Sequence, residues 1–392
     1  MKYDFDQILD RRNTGSLKWD YAERVLGVKD VIPMWVADMD FPAPQPVIDA
    51  IKARAEHGAY GYPLTPPSYW AAIQSWMKTR HNWDVKKEWL SKSPGVVPAL
   101  SLCVAAFSHP GDKIVVQSPV YYPFYSAINH NGRRIVRNAL KLENGRFVMD
   151  FEDLERKIDP RTRLLILCSP HNPVGRVWRI EELSRLAEIC VQKDLLIISD
   201  EIHADLVLSG AKHIPLATLA EEVAKRTVTL TAPSKTFNTA GLATAVVIAS
   251  NPRLLNLFNI EASNAGLSLG NVFGIIALEA AYTHGAEWLD QLLPYLEGNV
   301  AAVQSFLEER VPRIKLIRPE GTFLSLLDCR GLSLEAKALN DFFLRKAGVY
   351  LDEGTLFGDE LAGFVRMNFA APRSVLIQAL ERIEAAVAGL SL

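Results

Sequence analysis

Five side chains in the middle of this sequence have the chemistry to hold and activate a small molecule. They are Tyr121 in "PVYYPFY", Asn172 in "SPHNPVG", Asp200 in "SDEIH", and Ser234 and Lys235 in "APSKTFN". A lysine amine forms a Schiff base with a carbonyl, and it becomes a useful nucleophile when its pKa falls below the free value of about 10.4. A carboxylate taken out of water is stable only beside a positive partner. An aromatic face stacks on a planar ring, and a carboxamide donates to an oxyanion. Singly, each residue has an ordinary reading as a loop lysine, a turn asparagine before proline or a helix-capping aspartate. What joins them is position, because each follows a short apolar run.

Those runs are "KIVVQS" (113–118), "RLLILCS" (163–169), "DLLIISD" (194–200) and "RTVTLTA" (226–232), with a fifth, "TAVVIAS" (244–250), shortly after Lys235. Each is β-rich and apolar at consecutive positions, as in a strand buried on both faces of a parallel sheet. Between two of them lies "IEELSRLAEICVQKD", whose Ile180, Leu183, Leu186, Ala187 and Cys190 fall at helical spacing behind an acidic first turn. This alternation predicts an α/β fold with a mostly parallel, doubly wound sheet. Ligands of open parallel sheets sit outside the carboxyl ends of the strands, where the five side chains would gather. "SPGVVPAL" (93–100) leads into a predicted helix whose free N–H groups suit a phosphate, and Ser234 can add a hydroxyl. Lysine, aspartate, stacking aromatic, amide and phosphate cradle together describe pyridoxal 5′-phosphate (PLP), with Asp200 meeting the protonated ring nitrogen.

Beyond about residue 285 the texture changes to a long helical pattern, short strands and a final helix. The division this predicts is a large α/β domain over 45–285, and a smaller α+β domain built from 286–392 with the aromatic-rich residues 1–44. The chain has 392 residues, a net charge of −2 and no basic patch, so neither nucleic acid nor a membrane surface is an expected partner. No apolar stretch approaches the roughly 18–20 residues that span a bilayer, and the first twenty residues lack an apolar signal core. Four scattered cysteines without a CxxC indicate neither a disulfide framework nor a metal site. A cytoplasmic location is the expectation.

"SPHNPVG", "SDEIH" and "PSKTFNTAG" resemble, in order, the motifs of fold-type-I PLP enzymes related to aspartate aminotransferase. "VIPMWVADMDFPAP" (31–44) and "KWD" (18–20) resemble one branch of them, the cystathionine β-lyase or cysteine-S-conjugate β-lyase group. The resemblance covers nearly the whole chain. It implies that Lys235 is the Schiff-base lysine, that Asp200 pairs with the pyridine nitrogen, and that Asn172 and Tyr121 hold the ring. The backbone amides of Val96 and Val97, with Ser234, would hold the phosphate. Arg366 in "GFVRMNF" would grip the substrate α-carboxylate, with Ala37 beside it. Tyr62 would cross a homodimer interface to the partner's phosphate, with Tyr60 as the alternative.

Two positions depart from the aminotransferase pattern. His203 stands where many aminotransferases carry a tyrosine contacting the ring oxygen. Ala243 stands where many carry an arginine or lysine that clamps the phosphate. An aminotransferase must retain the cofactor in its free amine form, whereas a lyase regenerates the covalent link to lysine at each turnover. The first expectation is therefore a PLP-dependent C–S β-lyase acting on cystathionine or related S-substituted cysteines, releasing thiol, pyruvate and ammonia. An aminotransferase using an amino acid and a 2-oxo acid is the second, and a non-catalytic sensor on the same fold the third.

Overall fold

A computed structural model of the protein describes residues 2–208 and 210–390. Seven strands form the main sheet: β1 (Leu90–Ser93), β2 (Lys113–Val116), β3 (Arg134–Arg137), β4 (Thr162–Cys168), β5 (Leu196–Asp200), β6 (Thr227–Thr231) and β7 (Ala245–Ile248). Their order is β1-β7-β6-β5-β4-β2-β3. Strands β2 to β6 pair in parallel, whereas β7 runs antiparallel to both β6 and β1. All five expected runs are strands, and the expected parallel direction fails only for 245–248. Apolarity at consecutive positions reports burial on both faces, which β7 has, and it carries no information about direction. Direction follows from the connection. Residues 232–244 hold only a four-residue helix, Pro233–Thr236, and a three-residue 3-10 turn, Ala240–Leu242, neither long enough to run back along the sheet as a parallel return requires. The chain therefore turns back at the carboxyl edge of β6 and enters β7 from that edge.

Strands β1 and β3 carry no clear signal in the sequence. "RIVR" in β3 is an edge strand with an exposed arginine at each end, and "LSKS" in β1 has one apolar residue. Helices of eight residues or more, among the described residues, are α1 (Leu17–Arg24), α2 (Gln45–Glu56), α3 (Pro67–His81), α4 (Val96–Phe107), α5 (Pro123–His130), α6 (Ile180–Gln192), α7 (Pro252–Asn264), α8 (Val272–His284), α9 (Ala286–Arg310) and α10 (Arg373–Ala388). Among them, α4, α5 and α7 cover one face of the main sheet and α6 covers the other. Ile114, Val116, Leu164 and Ile166 pack with Leu100 of α4, Phe124 of α5 and Phe258 of α7. The intervening Val115, Leu165 and Leu167 face the opposite way, onto Leu183, Leu186, Ala187 and Cys190 of α6. Ile180, expected on that apolar face, is half exposed. It is the first helical residue, where the Arg179 amide bonds the Glu182 carboxylate and the chain still faces water.

A second, antiparallel sheet has the order β8-β9-β11-β10, from β8 (Lys315–Ile317), β9 (Leu324–Asp328), β10 (Asp352–Glu353) and β11 (Phe364–Asn368). The N-terminal segment packs with this part of the chain. Ile32–Pro33 pair in parallel with Val349–Tyr350, and the Phe5 ring lies 5.6 Å from Trp288 and 5.5 Å from Tyr295 of α9. All four cysteines are buried and unpaired. Among the described residues, no helix is long and apolar enough to cross a membrane.

Candidate active site

Strands β2, β4, β5 and β6 are consecutive neighbours, so Tyr121, Asn172, Asp200 and Lys235 reach the carboxyl edge from adjacent strands. Lys235 sits in the short helix Pro233–Thr236 immediately after β6. Its Nζ donates to the Ala37 carbonyl at 2.6 Å, which brings the "MWVADMDF" loop onto the lysine. Burial, aided by the Arg366 charge, draws the Lys235 pKa down to about 8 against the opposing pull of Asp38 and Asp200. Asn238 ties the same turn to that loop: its amide bonds Met39 and Phe41 carbonyls at 2.9 and 2.8 Å and its oxygen accepts from Met39 N.

Asp200 ends β5 and is buried. Its one donor among the described residues is the Ile202 amide at 3.1 Å, and no cation pairs with it. Burial pushes its pKa up to about 7, against the smaller pulls of that amide and of Lys235. A buried carboxylate with one weak donor is costly unless a cationic group completes it. His203, three residues on, is also buried, with Nδ1 lacking a partner and its ring 6.0 Å from Phe323. Burial and the charges of Lys235 and Arg366 hold it well below its ordinary pKa, so it stands neutral in the crevice.

Arg366, on β11, reaches the same place from the second sheet. Its Nη1 donates to Asn172 Oδ1 at 2.9 Å, its Nη2 donates to the Trp35 carbonyl at 3.0 Å and to Asp352, and its guanidinium lies 4.7 Å from the Phe357 ring centroid. Asn172 Oδ1 is thus committed to Arg366, which turns its amide nitrogen to the other side. Tyr121 is linked to Asn172 through its own backbone N–H, 3.1 Å from the Asn172 carbonyl. Nothing in the sequence points to the Asp352 partnership, and it changes the expected geometry. Nη2 is filled, so the N–H groups left for an incoming carboxylate are on Nη1 and on Nε, which is buried without a partner.

Helix α4 begins at Val96 behind Gly95 and has no side-chain cap, which leaves the first-turn amides of Val96 and Val97 free to hold an anion. The Ser234 hydroxyl has no protein partner among the described residues. Ala243 is exposed with left-handed backbone (φ 46°), and its methyl offers no charge where an aminotransferase clamp would stand. Tyr62 is 92% exposed, whereas the Tyr60 hydroxyl donates to the Ala55 carbonyl at 2.5 Å. A buried carboxylate with one amide donor and no cation, a lysine of depressed pKa and an uncapped helix start suit a planar, cationic, phosphorylated ring.

Several contacts around the site are not legible in the sequence. Arg11 holds Asp38 and Asp40 at 2.7 Å each, Lys18 reaches Asp40 at 2.8 Å, and Trp19 Nε1 donates to Asp40 at 2.7 Å. The "KWD" and "MWVADMDF" motifs are therefore bonded to one another. The contacts of Asp205 are others, although it lies five residues beyond Asp200 in "DEIHAD". Asp352 leaves no signal, since "LDEG" reads as an ordinary turn.

Residues 29–383 match the aminotransferase class I and II family. The chain is 43% identical over 384 residues to cystathionine beta-lyase PatB of Bacillus subtilis, covering 98% of this chain and 99% of that protein. The crystal structure of PLP-containing cystalysin from Treponema denticola superposes with a TM-score of 0.97 at 38% identity, over 100% of both chains. The PLP-bound C-S lyase from Staphylococcus hominis gives a TM-score of 0.92 at 33% identity, over 99% of this chain and 98% of that one. By its folded core, its crevice at the carboxyl edge and these likenesses, this chain belongs to the aminotransferase class I and II family.

Proposed function

We propose that this protein is a PLP-dependent carbon–sulfur β-lyase that cleaves L-cystathionine or related S-substituted cysteines to a thiol, pyruvate and ammonia. One observation carries the choice of reaction: the 43% identity with cystathionine beta-lyase PatB runs through 98% of the chain. When bound, PLP supplies a covalent attachment for the substrate amine and an electron sink for the charge developing at Cα. Lys235 holds the cofactor and, with a pKa near 8, is unprotonated often enough near neutral pH to remove the Cα proton. Asp200 keeps the ring nitrogen protonated, because a cation beside it relieves its own buried charge. Tyr121 covers the ring and Asn172 donates its amide to the ring oxygen, with His203 as a neutral neighbour. Val96 and Val97 amides and the Ser234 hydroxyl hold the phosphate. Arg366 binds the substrate carboxylate beside Ala37. Proton removal at Cα would then be followed by cleavage of the Cβ–S bond: the Cα electron pair forms the Cα=Cβ bond, the pair of the broken bond leaves on sulfur, and water hydrolyses the released enamine to pyruvate and ammonia.

Supplying L-cystathionine is expected to yield pyruvate and free thiol in equal amounts. In a separate reaction, an aromatic or dicarboxylic amino acid with 2-oxoglutarate is expected to yield little glutamate. Both routes share the Cα proton removal, and a difference of about 1.4 kcal/mol between their barriers shifts the partition tenfold. Rapid glutamate formation without thiol release would make this an aminotransferase.

We infer also that the working form is a homodimer in which Tyr62 reaches the partner's phosphate. Tyr62 and Leu64 are 92% and 91% exposed, a wasteful arrangement for two large apolar side chains unless a second chain covers them. Tyr60 is committed to its own chain through Ala55. Mixing Lys235→Ala with a Tyr62→Ala variant is expected to restore about a quarter of wild-type activity through hybrid dimers with one intact site. An active monomer in sedimentation would contradict it. The division into 45–285 and 1–44 with 286–392 is our reading of domain organisation, supported by the two separate sheets. A cytoplasmic location is supported by four buried, unpaired cysteines.

A further inference from the structure

Below the lysine turn lies a buried carboxylate that the chemistry described above does not use. Asp205 lies in the turn after β5, five residues beyond Asp200 and two beyond His203. Its Oδ2 accepts from Thr236 Oγ at 2.7 Å, and Thr236 is the residue next to Lys235. Trp76 Nε1 of α3 donates to both carboxylate oxygens, at 3.1 and 3.2 Å, and His81 Nε2 at the end of α3 lies 2.8 Å from Oδ1. Thr236 is fully buried, and the side chains of His81 and Asp205 are 6% and 5% exposed. Trp76 in turn packs edge-on to Phe237, the second residue after Lys235, at 5.4 Å, and stacks on Tyr282 of α8 at 5.2 Å. Both residues that follow the lysine are thus gripped, one by Asp205 directly and one through the tryptophan that Asp205 holds.

The charge state agrees with the geometry. Burial opposes ionisation of Asp205, yet His81, Thr236 and Trp76 together hold its pKa below the ordinary carboxylate range. Burial likewise opposes protonation of His81, and Asp205 overcomes it to raise the His81 pKa. A buried ion pair is weak evidence for stability, since apolar side chains of similar volume often serve as well. Its use here is directional. A carboxylate with four acceptor sites can fix three donors, two from α3 and one from the lysine turn, in one place, and a short helix of four residues has little rigidity of its own.

We propose that Asp205 is a positioning residue for Lys235, anchoring the lysine turn to α3 and to the β5 segment so that Nζ is held at the distance and angle that proton transfer requires. This rests on Lys235 being the cofactor lysine, which borohydride reduction and peptide mapping of the wild-type holoenzyme establish first. The test compares Thr236→Val, which removes one hydrogen bond and nearly no volume, with Asp205→Asn and with the double variant. Thr236→Val is expected to lower kcat roughly 10- to 100-fold with little change in KM, as for a small misplacement of a reacting group. The pH midpoint of the Lys235-linked cofactor chromophore is expected to move by about half a pH unit or more, because the lysine's surroundings change. Asp205→Asn is expected to do the same more strongly, and the double variant to be no worse than Asp205→Asn alone. A wild-type chromophore midpoint and wild-type kcat in Thr236→Val would overturn the proposal, even if Asp205→Asn folds poorly. Additive losses in the double variant would also overturn it. A borohydride label on another lysine would instead sink the assignment of Lys235 itself.

Discussion

Lys235→Ala is expected to lower turnover by at least about 10⁴-fold, the upper range for loss of a positioned proton-transfer group, with loss of the covalent attachment added to it. The fold should survive. The Lys235 ammonium gains only a carbonyl partner, Ala37 at 2.6 Å, and burial disfavours its charge, so nothing in the core depends on it. The purified variant is expected to bind PLP reversibly, through the α4 amides, Asp200 and Tyr121, without the absorbance of a lysine-linked cofactor. Steady-state pyruvate formation gives the rate, and borohydride reduction followed by peptide mapping locates the attachment in the wild type. Substantial activity in Lys235→Ala, or a label on a different lysine, would contradict the assignment.

Asp200→Asn is expected to cut turnover by about 10³-fold, the scale lost with one preorganised electrostatic partner, and at the same time to stabilise the cofactor-free protein. The two effects have one cause. With a pKa of about 7 when folded against 3.8 unfolded, the buried carboxyl keeps its proton longer in the folded state. The unfolded chain therefore binds fewer protons between about pH 4 and pH 7, and stability falls as pH rises through that window. By pH 8, above both values, the loss amounts to at most about 4 kcal/mol. Asparagine has the same shape and no charge to bury. Denaturant unfolding of the two cofactor-free proteins is expected to coincide near pH 4 and to favour the variant at pH 8. Saturating PLP is expected to close the gap, because on this assignment its ring cation would pair with Asp200 in the wild type and would find no charge in the variant. Parallel stability–pH profiles for the two proteins would show that Asp200 is not the strained group described here.

The placement of the candidate site was legible because its markers stand next to strong local signals. Tyr121, Asn172, Asp200 and Lys235 each follow an apolar run, and a run buried on both faces can hardly be anything but a central strand. The order of motifs along the chain was enough to name a family and a cofactor. What stayed hidden depends on contacts between distant segments. The antiparallel direction of β7 follows from the short connection before it, while its composition is that of its parallel neighbours. Trp76 and His81 meet Asp205 across 129 and 124 residues, and Asn238 meets Met39 across 199. Arg366 was recognisable from its motif, but its filled Nη2 became visible only once Asp352 was seen beside it on the neighbouring strand. Periodicity and residue type report which faces of an element avoid water, a local property of the chain. Which buried polar group meets which partner is settled by how the elements pack, where each donor and acceptor must find a mate or forfeit its hydration.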